Sequence, residues 1–247
     1  MNDLEIGWLS SSARKAVTTE DWRTVSACAN KILKRDKDSA EGHFLSGLAA
    51  KAGAQQERAE KSFRRTLKVD RGRYDAAIEL ADLYLKMQRN SEALPLLGEY
   101  RPRLDNSPVY LGMAAAAYSR LDLHELAWPL YRRACDLQPQ VDRFQAGLAS
   151  CSVFVGKIDD ARAIYESLLA RRPHHQRYHY QLARLATATD FRHVDRMRTV
   201  LSSTNLLPSK NIFIYYALGK ELEDLELWDE AFRYYEMAGE AAKSVSA

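Results

Sequence analysis

The residues best suited to chemistry lie between Arg171 and Arg198. His174, His175 and His179 form the densest histidine cluster in the chain. His175 and His179 are four apart, so on a helix they share a face, and that spacing can bind a metal. No HExxH occurs, and no carboxylate or cysteine stands nearby in sequence to complete a site. The expectation is a solvated or partly packed cluster and no metal. The same stretch carries Arg171, Arg172, Arg177, Arg184, Arg192, Arg196 and Arg198 against only Asp190 and Asp195. Arg171, Arg172, Arg177 and Arg184 are the candidate anion patch, for an acidic peptide, a sulfated or phosphorylated group, or an acidic neighbour. The alternative is a solvated face balanced by Glu221, Glu223, Asp224, Glu226, Asp229 and Glu230. RNA binding needs interleaved exposed aromatics. Tyr178 and Tyr180 are the candidates, and no nucleic-acid partner is expected. Ser12-Ala13-Arg14-Lys15 satisfies SxxK, but the companion SDN and KTG motifs of serine acyl enzymes are absent. No catalytic residue is assigned.

The elements that position these groups follow from composition and periodicity. Ala, Leu, Arg and Glu dominate and favour helix, while 11 Gly and 7 Pro in 247 residues are too few for a turn-rich β-protein. A net charge of +3 is too small to imply nucleic acid by itself. Cys28, Cys135 and Cys151, with no CxxC, suggest reduced thiols and a cytoplasmic protein. No signal peptide is legible, and no window approaches the apolar length that spans a membrane.

Three columns repeat along the chain. Ala59, Ala93, Ala127 and Ala161 are spaced by 34 residues, with Val25 one step earlier. Ala231 lies 70 residues after Ala161, two steps plus two residues. Twelve positions before each anchor stand Ala13, Gly47, Ala81, Ala115, Ala149, Ala183 and Gly219, all small. Four positions after it stand Phe63, Leu97, Tyr131, Tyr165 and Tyr235. A column of small residues predicts helices that cross closely, and the large column predicts the filling between them. Pro139 and Pro173 close two of the repeats, where Lys37, Arg71 and Asp105 stand in others.

This length and pattern resemble the tetratricopeptide repeat. The resemblance implies an all-α, right-handed solenoid of about seven helix-turn-helix repeats: 6–39, 40–73, 74–107, 108–141, 142–175, 176–211 and 212–245, after an N-terminal tail 1–5. Ser39 and Ser107, the latter before Pro108, are expected to cap helices. The first unit is weak, with Ser12 and Ala29 at packing positions. The sixth is irregular, with Asp195 at the anchor and Thr199 and Ser202 after it, and its two extra residues are expected in the "STNLLPSKN" connection. Tyr84, Tyr118, Tyr131 and Tyr165 are read as core, and each cysteine as a buried thiol.

First helices line the concave side of such a stack, where this repeat family commonly holds extended peptides. The inward positions five, nine and thirteen nominate Ile78, Asp82, Lys86, Arg120, Tyr180, Arg184, Tyr216 and Lys220, with Asp224. Arg184 and Lys220 are expected to line an anion-binding surface. The early inward positions, Ser10, Arg14, Phe44 and Leu48, lack the Lys/Asn arrangement that clamps a peptide C-terminus.

From about Gln181 onward the chain also resembles the junction of bacterial proteins that fuse tetratricopeptide repeats to a sulfotransferase domain. Ala217-Leu218-Gly219-Lys220, Glu223-Asp224-Leu225, Asp229-Glu230-Ala231-Phe232, Tyr235 and Gly239 carry it, though many members continue Gly-Asn where Glu240 follows here. The resemblance implies a catalytic domain beyond residue 247, binding the sulfate donor PAPS through a Gly/Ser-rich loop. This chain has no GxxxxGK or GxGxxG, and "ALGK" lacks the upstream glycine. No cofactor is expected in the chain itself. The readings are a non-catalytic protein- or peptide-binding module of such a protein, or a free-standing interaction or oligomerisation scaffold. "AAKSVSA" is too short for a polar capping helix, so the last hairpin is expected to expose an apolar face including parts of Phe232 and Tyr235, and self-association or docking to a catalytic domain would use that face.

Overall fold

A computed structural model describes residues 2–104, 106–203 and 207–246. Among them there are fourteen α-helices, two 3-10 turns and no strand. The chain divides into two compact units, Met1–Leu137 and Gln138–Ala247. The first unit stacks α1 (Asn2–Thr18), α2 (Trp22–Arg35), α3 (Ala40–Ala52), α4 (Gln56–Val69), α5 (Tyr74–Lys86), α6 (Asn90–Tyr100), α7 (Pro108–Arg120) and α8 (His124–Leu137) as four antiparallel hairpins. The second holds α9 (Asp142–Phe154), α10 (Ile158–Arg171), α11 (Gln176–Ala183), α12 (Arg192–Ser203), α13 (Ile212–Asp224) and α14 (Trp228–Ser246).

The repeating columns are the core. Ala13, Ala81, Ala115, Ala149 and Ala183 are buried, as are the anchors Val25, Ala59, Ala93, Ala127, Ala161 and Ala231. Small and large columns meet each other. A Cβ on Gly47 would lie 2.5 Å from the Phe63 ring, and one on Gly219 would lie 2.7 Å from the Tyr235 ring. Tyr84, Tyr118, Tyr131 and Tyr165 lie in the core. Cys28 and Cys151 are buried, and burial pushes the half-buried Cys135 thiol up to about 11.

Each regular hairpin turns in the same way. Glu20, Ala54, Gln88, Asp122, Gly156 and Glu226 have positive φ, one per turn. The amide of the following residue closes a bond to the carbonyl five positions back: Gln55 to Ala50 at 2.9 Å, Arg89 to Tyr84 at 2.8 Å, Leu123 to Tyr118 at 2.9 Å. This is the Schellman closure of a helix C-terminus, made here mostly without glycine. Ser39 caps α3 through Gly42 N at 3.2 Å. Ser107 has extended backbone but its side chain caps nothing. Pro108 at the first helical position already lacks one of the N–H groups a cap would satisfy.

One expectation is corrected. Residues 2–5 are not a tail: α1 begins at Asn2, Ile6 and Leu9 pack against α2, and Glu5 pairs with Arg35. The stretch "AAKSVSA" forms no helix of its own: it continues α14, which runs to Ser246, and Ala238 and Ala241 pack against Tyr215. Phe232 is 62% exposed and Tyr235 is half-buried, its hydroxyl donating to Glu223 at 2.7 Å. In the sixth hairpin α12 starts 16 residues after α11, as α10 does after α9, whereas α13 starts 20 residues after α12 against 18 from α10 to α11. The two extra residues therefore follow the start of α12. Asp105 and Thr204-Asn205-Leu206 lie outside the described residues. Among the described residues no helix is long and apolar enough to cross a membrane.

Candidate functional site

In the first unit the inner helices α1, α3, α5 and α7 are joined by an ionic ladder. Glu41 accepts from Ser10 and from both Nε and Nη2 of Arg14, each at 2.8 Å, and pairs with Arg73 at 3.0 Å. Arg73 also pairs with Asp75 at 2.8 Å. Lys51 bridges Glu79 and Asp82, both at 2.6 Å. Asp82 further meets Lys86 at 3.0 Å and Arg120 at 2.7 Å. Burial would raise the Asp82 carboxyl, but Lys51 and Lys86 outweigh it and hold the group at about 2. The sequence-nominated Asp82, Lys86 and Arg120 are thus together, but engaged with one another. Ile78 does not line this face. It is 1% exposed and so offers no surface to a partner.

In the second unit the nominated residues separate into two groups. Arg171 pairs with Asp142 at 3.0 Å, and Arg172 pairs with the same carboxylate. Arg177 instead lies over the Phe213 ring, 4.8 Å from its centre, and Arg184 over Tyr180 at 5.3 Å. Phe213 and Tyr180 are themselves 5.7 Å apart. An Arg-Phe-Tyr-Arg stack results, held by cation–π attraction, and among the described residues its two arginines make no ion pair. The four arginines of the patch thus fall into two pairs: Arg171 and Arg172 share the one Asp142 carboxylate, while Arg177 and Arg184 lie on aromatic rings. Tyr216 is 38% exposed, its ring 6.4 Å from that of Tyr235.

Lys220 is not free for an anion. Its ammonium binds the Ala186 carbonyl and the Asp224 carboxylate, which also accepts from Ala188 N at 2.7 Å. These two α13 side chains hold residues 184–191 out of helix, which is why α11 stops at Ala183 and Arg184 becomes its C-cap. Thr187 and Thr189, β-branched and weak helix formers, yield readily to that pull.

The broken helix opens a cleft of about 370 Å³ lined by Arg162, Leu182, Thr187, Thr189, His193 and Glu221 among others. Behind it runs a buried polar chain. His179 Nε2 reaches the Pro173 carbonyl at 2.8 Å, His179 Nδ1 meets His193 Nε2 at 2.8 Å, and His193 Nδ1 meets Glu221 Oε1 at 2.6 Å. A carbonyl only accepts, so Nε2 of His179 carries a proton. Burial holds His179 neutral, lowering it to about 4, with His193 and Arg196 adding to the effect. Its Nδ1 must then accept from His193, and one proton lies between His193 Nδ1 and Glu221. Glu221 Oε2 is buried without a partner. The histidine pair on one helix face does not form a site: His175 stacks on Tyr178 at 3.6 Å while His179 turns to His193. Sequence reasoning missed His193 and Glu221 as partners of His179, 14 and 42 residues away, because no periodic column marks them.

Comparison with known proteins agrees with this architecture. A family model described as tetratricopeptide repeat matches residues 55–117. Similar solved structures include YrrB, described as a TPR protein with an unusual peptide-binding site, at 15% identity and a TM-score of 0.60, covering 84% of this chain and 97% of that one. A tetratricopeptide repeat protein from Parabacteroides merdae is 14% identical with a TM-score of 0.57, covering 97% and 94%. The human IFIT1 dimer with PPP-AAAA is 16% identical with a TM-score of 0.56, covering 89% and 55%. Anaphase-promoting complex subunit 3 of Schizosaccharomyces pombe is 26% identical over 161 residues, 64% of this chain and 24% of that protein. The chain thus spans about a quarter of that relative's length. The structural likenesses establish the fold.

Proposed function

We propose that this tetratricopeptide-repeat chain is a non-catalytic partner-binding module that takes an acidic peptide on the inner face of α11 and α13. The observation that carries the reading is the stack of Arg177, Phe213, Tyr180 and Arg184. Each guanidinium is oriented by an aromatic ring and, among the described residues, has no carboxylate of its own, so its N–H donors remain for a partner's carboxylates. The peptide-binding site named for YrrB is consistent with such a role. The test is capture of peptides from an acidic library by the full chain and by the Arg177→Glu/Arg184→Glu variant. Loss of capture with unchanged helicity is expected, and unchanged capture would remove the reading.

The module's place in a larger sulfotransferase-type protein is the finer part of the proposal. Its support is the resemblance carried by residues 217–239. Gly219 and Ala231 in that stretch serve the packing common to the repeats. Lys220 and Asp224 do more, since they fix the broken sixth hairpin. PAPS would bind only in a domain following this chain, and the three free thiols fit a cytoplasmic setting. Blotting the endogenous protein tests this: a band well above 28.1 kDa is expected, and a band at that mass would leave a free-standing module. A scaffold that self-associates through α14 is favoured by Trp228 and Phe232, 61% and 62% exposed. Concentration-dependent mass in sedimentation would select it.

A further inference from the structure

The second hairpin gathers cations that the inner face of the same unit would have paired. Arg58, Lys61, Arg65 and Lys68 recur at helical spacing, so they form one row along α4. With Ser62 and with His43 of α3, the row lines a cleft of about 590 Å³. His43 is fixed by the bond of its Nε2 to the Lys37 carbonyl, 2.9 Å long. Arg64 also borders the cleft, but Glu60, Glu92 and the Tyr84 hydroxyl engage it. The row itself is poorly neutralised. Arg65 pairs with Asp38, whose side chain is 69% exposed. Arg58 donates to the Gln55 amide oxygen at 3.2 Å, which brings no charge. Among the described residues Arg58, Lys61 and Lys68 make no ion pair. Like charges at this spacing on a helix repel, so the row is disfavoured until an anion joins it.

The charge and the lining select the anion. Arg58, Lys61 and Lys68 each lack a counter-charge, and Arg65 shares Asp38 with solvent. A carboxylate brings a single charge, whereas a phosphate monoester brings about −1.5 to −2. Two neighbouring phosphates therefore balance the row, where a peptide would have to crowd several acidic side chains into one cleft. An ammonium suits phosphate as a point charge and a guanidinium suits it as a fork. Ser62, half-buried, adds a hydroxyl. The row from Arg58 to Lys68 rises about 15 Å along the helix, longer than one phosphate needs, and the cleft volume is that of a small-molecule site. No Phe, Tyr or Trp stands among the described residues that line it, so no base would be held by stacking. We propose that this cleft binds a compact ligand carrying two adjacent phosphates, either a soluble diphosphate or the bisphosphate headgroup of a lipid. The site is separate from the peptide-binding stack of Arg177 and Arg184 and does not depend on it.

The test titrates the full chain, isotope-labelled, with inorganic pyrophosphate, and separately with sulfate and with acetyl-Glu-Glu-Glu-Glu-amide at matched ionic strength. Backbone NMR shifts of Lys61, Ser62, Arg65 and Lys68 are followed. Pyrophosphate is expected to move them saturably, and the other two to bind several-fold more weakly. Lys61→Gln/Lys68→Gln removes two exposed cations, so helicity should persist while pyrophosphate binding falls roughly tenfold. Sedimentation with phosphatidylcholine vesicles, with and without phosphatidylinositol bisphosphate, separates the two sources. Co-sedimentation that needs the bisphosphate lipid and is lost in the double variant assigns a headgroup. Pyrophosphate binding without co-sedimentation assigns a soluble ligand. No saturable shift from pyrophosphate, equal shifts from sulfate or the glutamate peptide, or a folded double variant that binds pyrophosphate unchanged would overturn the proposal.

Discussion

A single missing methyl group sets how closely two helices approach. At Gly47 an added Cβ would sit 2.5 Å from Phe63, whose ring is fully buried and has nowhere to move. Gly47→Ala gains about 1 kcal/mol of helix propensity, but overpacking of this kind costs about 1–3 kcal/mol, so net destabilisation is expected. At Gly219 the opposing Tyr235 ring is half-buried and can swing outward, so Gly219→Ala should be close to neutral. Urea midpoints of the two variants check the contrast. His179 supplies a pH dependence at the same scale. Its ring is 1% exposed, faces His193, Arg196 and Glu166, and is held neutral at about 4 against an ordinary 6.5. A base whose folded pKa is depressed contributes stability that is full above pH 6.5 and is lost as pH falls toward 4. The shift corresponds to at most about 3 kcal/mol. Thermal melts between pH 7 and 4 should show a decline that His179→Gln flattens.

Element by element, the hairpins were legible where packing repeats and obscure where the backbone alone decides. The 34-residue spacing of the small and large columns marks the crossing helices because each hairpin solves the same packing problem. The turn conformation leaves no such mark. Six turns place one residue at positive φ, and five of those residues are not glycine. Gly53 stands beside the left-handed position, which Ala54 occupies with φ of 55°. The left-handed conformation costs an L-residue roughly 1–2 kcal/mol. Ala54→Gly is therefore expected to raise the unfolding free energy, read from the urea midpoint, by about 0.5–1 kcal/mol, after the greater chain entropy of glycine is set against it. Gly156→Ala, where φ is 76° and an added Cβ meets nothing within 4 Å, should lower it by a similar amount through the backbone alone. The sixth hairpin was flagged as irregular by Asp195, Thr199 and Ser202, but its break lies elsewhere. It falls at residues 184–191, because the side chains that pull the segment out of helix, Lys220 and Asp224, belong to the next hairpin.

At the scale of the molecule, the two units use similar residue types to opposite ends. The inner face of the first is largely paired within itself: five cations, Arg14, Lys51, Arg73, Lys86 and Arg120, share four carboxylates, Glu41, Asp75, Glu79 and Asp82. A partner's carboxylate arriving there must displace a carboxylate already in place. In the second unit Arg177 and Arg184 are held by aromatic faces instead, which orient a guanidinium without consuming its donors. Acidic partners should therefore select the second unit even though both carry exposed cations. A part-exposed arginine–carboxylate pair contributes about 0.2–1 kcal/mol, so Arg177→Ala/Arg184→Ala should weaken an acidic peptide roughly 2- to 30-fold. Lys86→Ala/Arg120→Ala in the first unit should change it less than about twofold, since those cations are already engaged with Asp82. Raising salt from 0.1 to 1 M shortens the screening length from about 10 to 3 Å and should reduce the difference between the wild-type chain and Arg177→Ala/Arg184→Ala. Titration calorimetry of one acidic peptide against the wild-type chain and both double variants at the two salt concentrations measures all of this, and equal losses from the two variants would place the binding surface elsewhere.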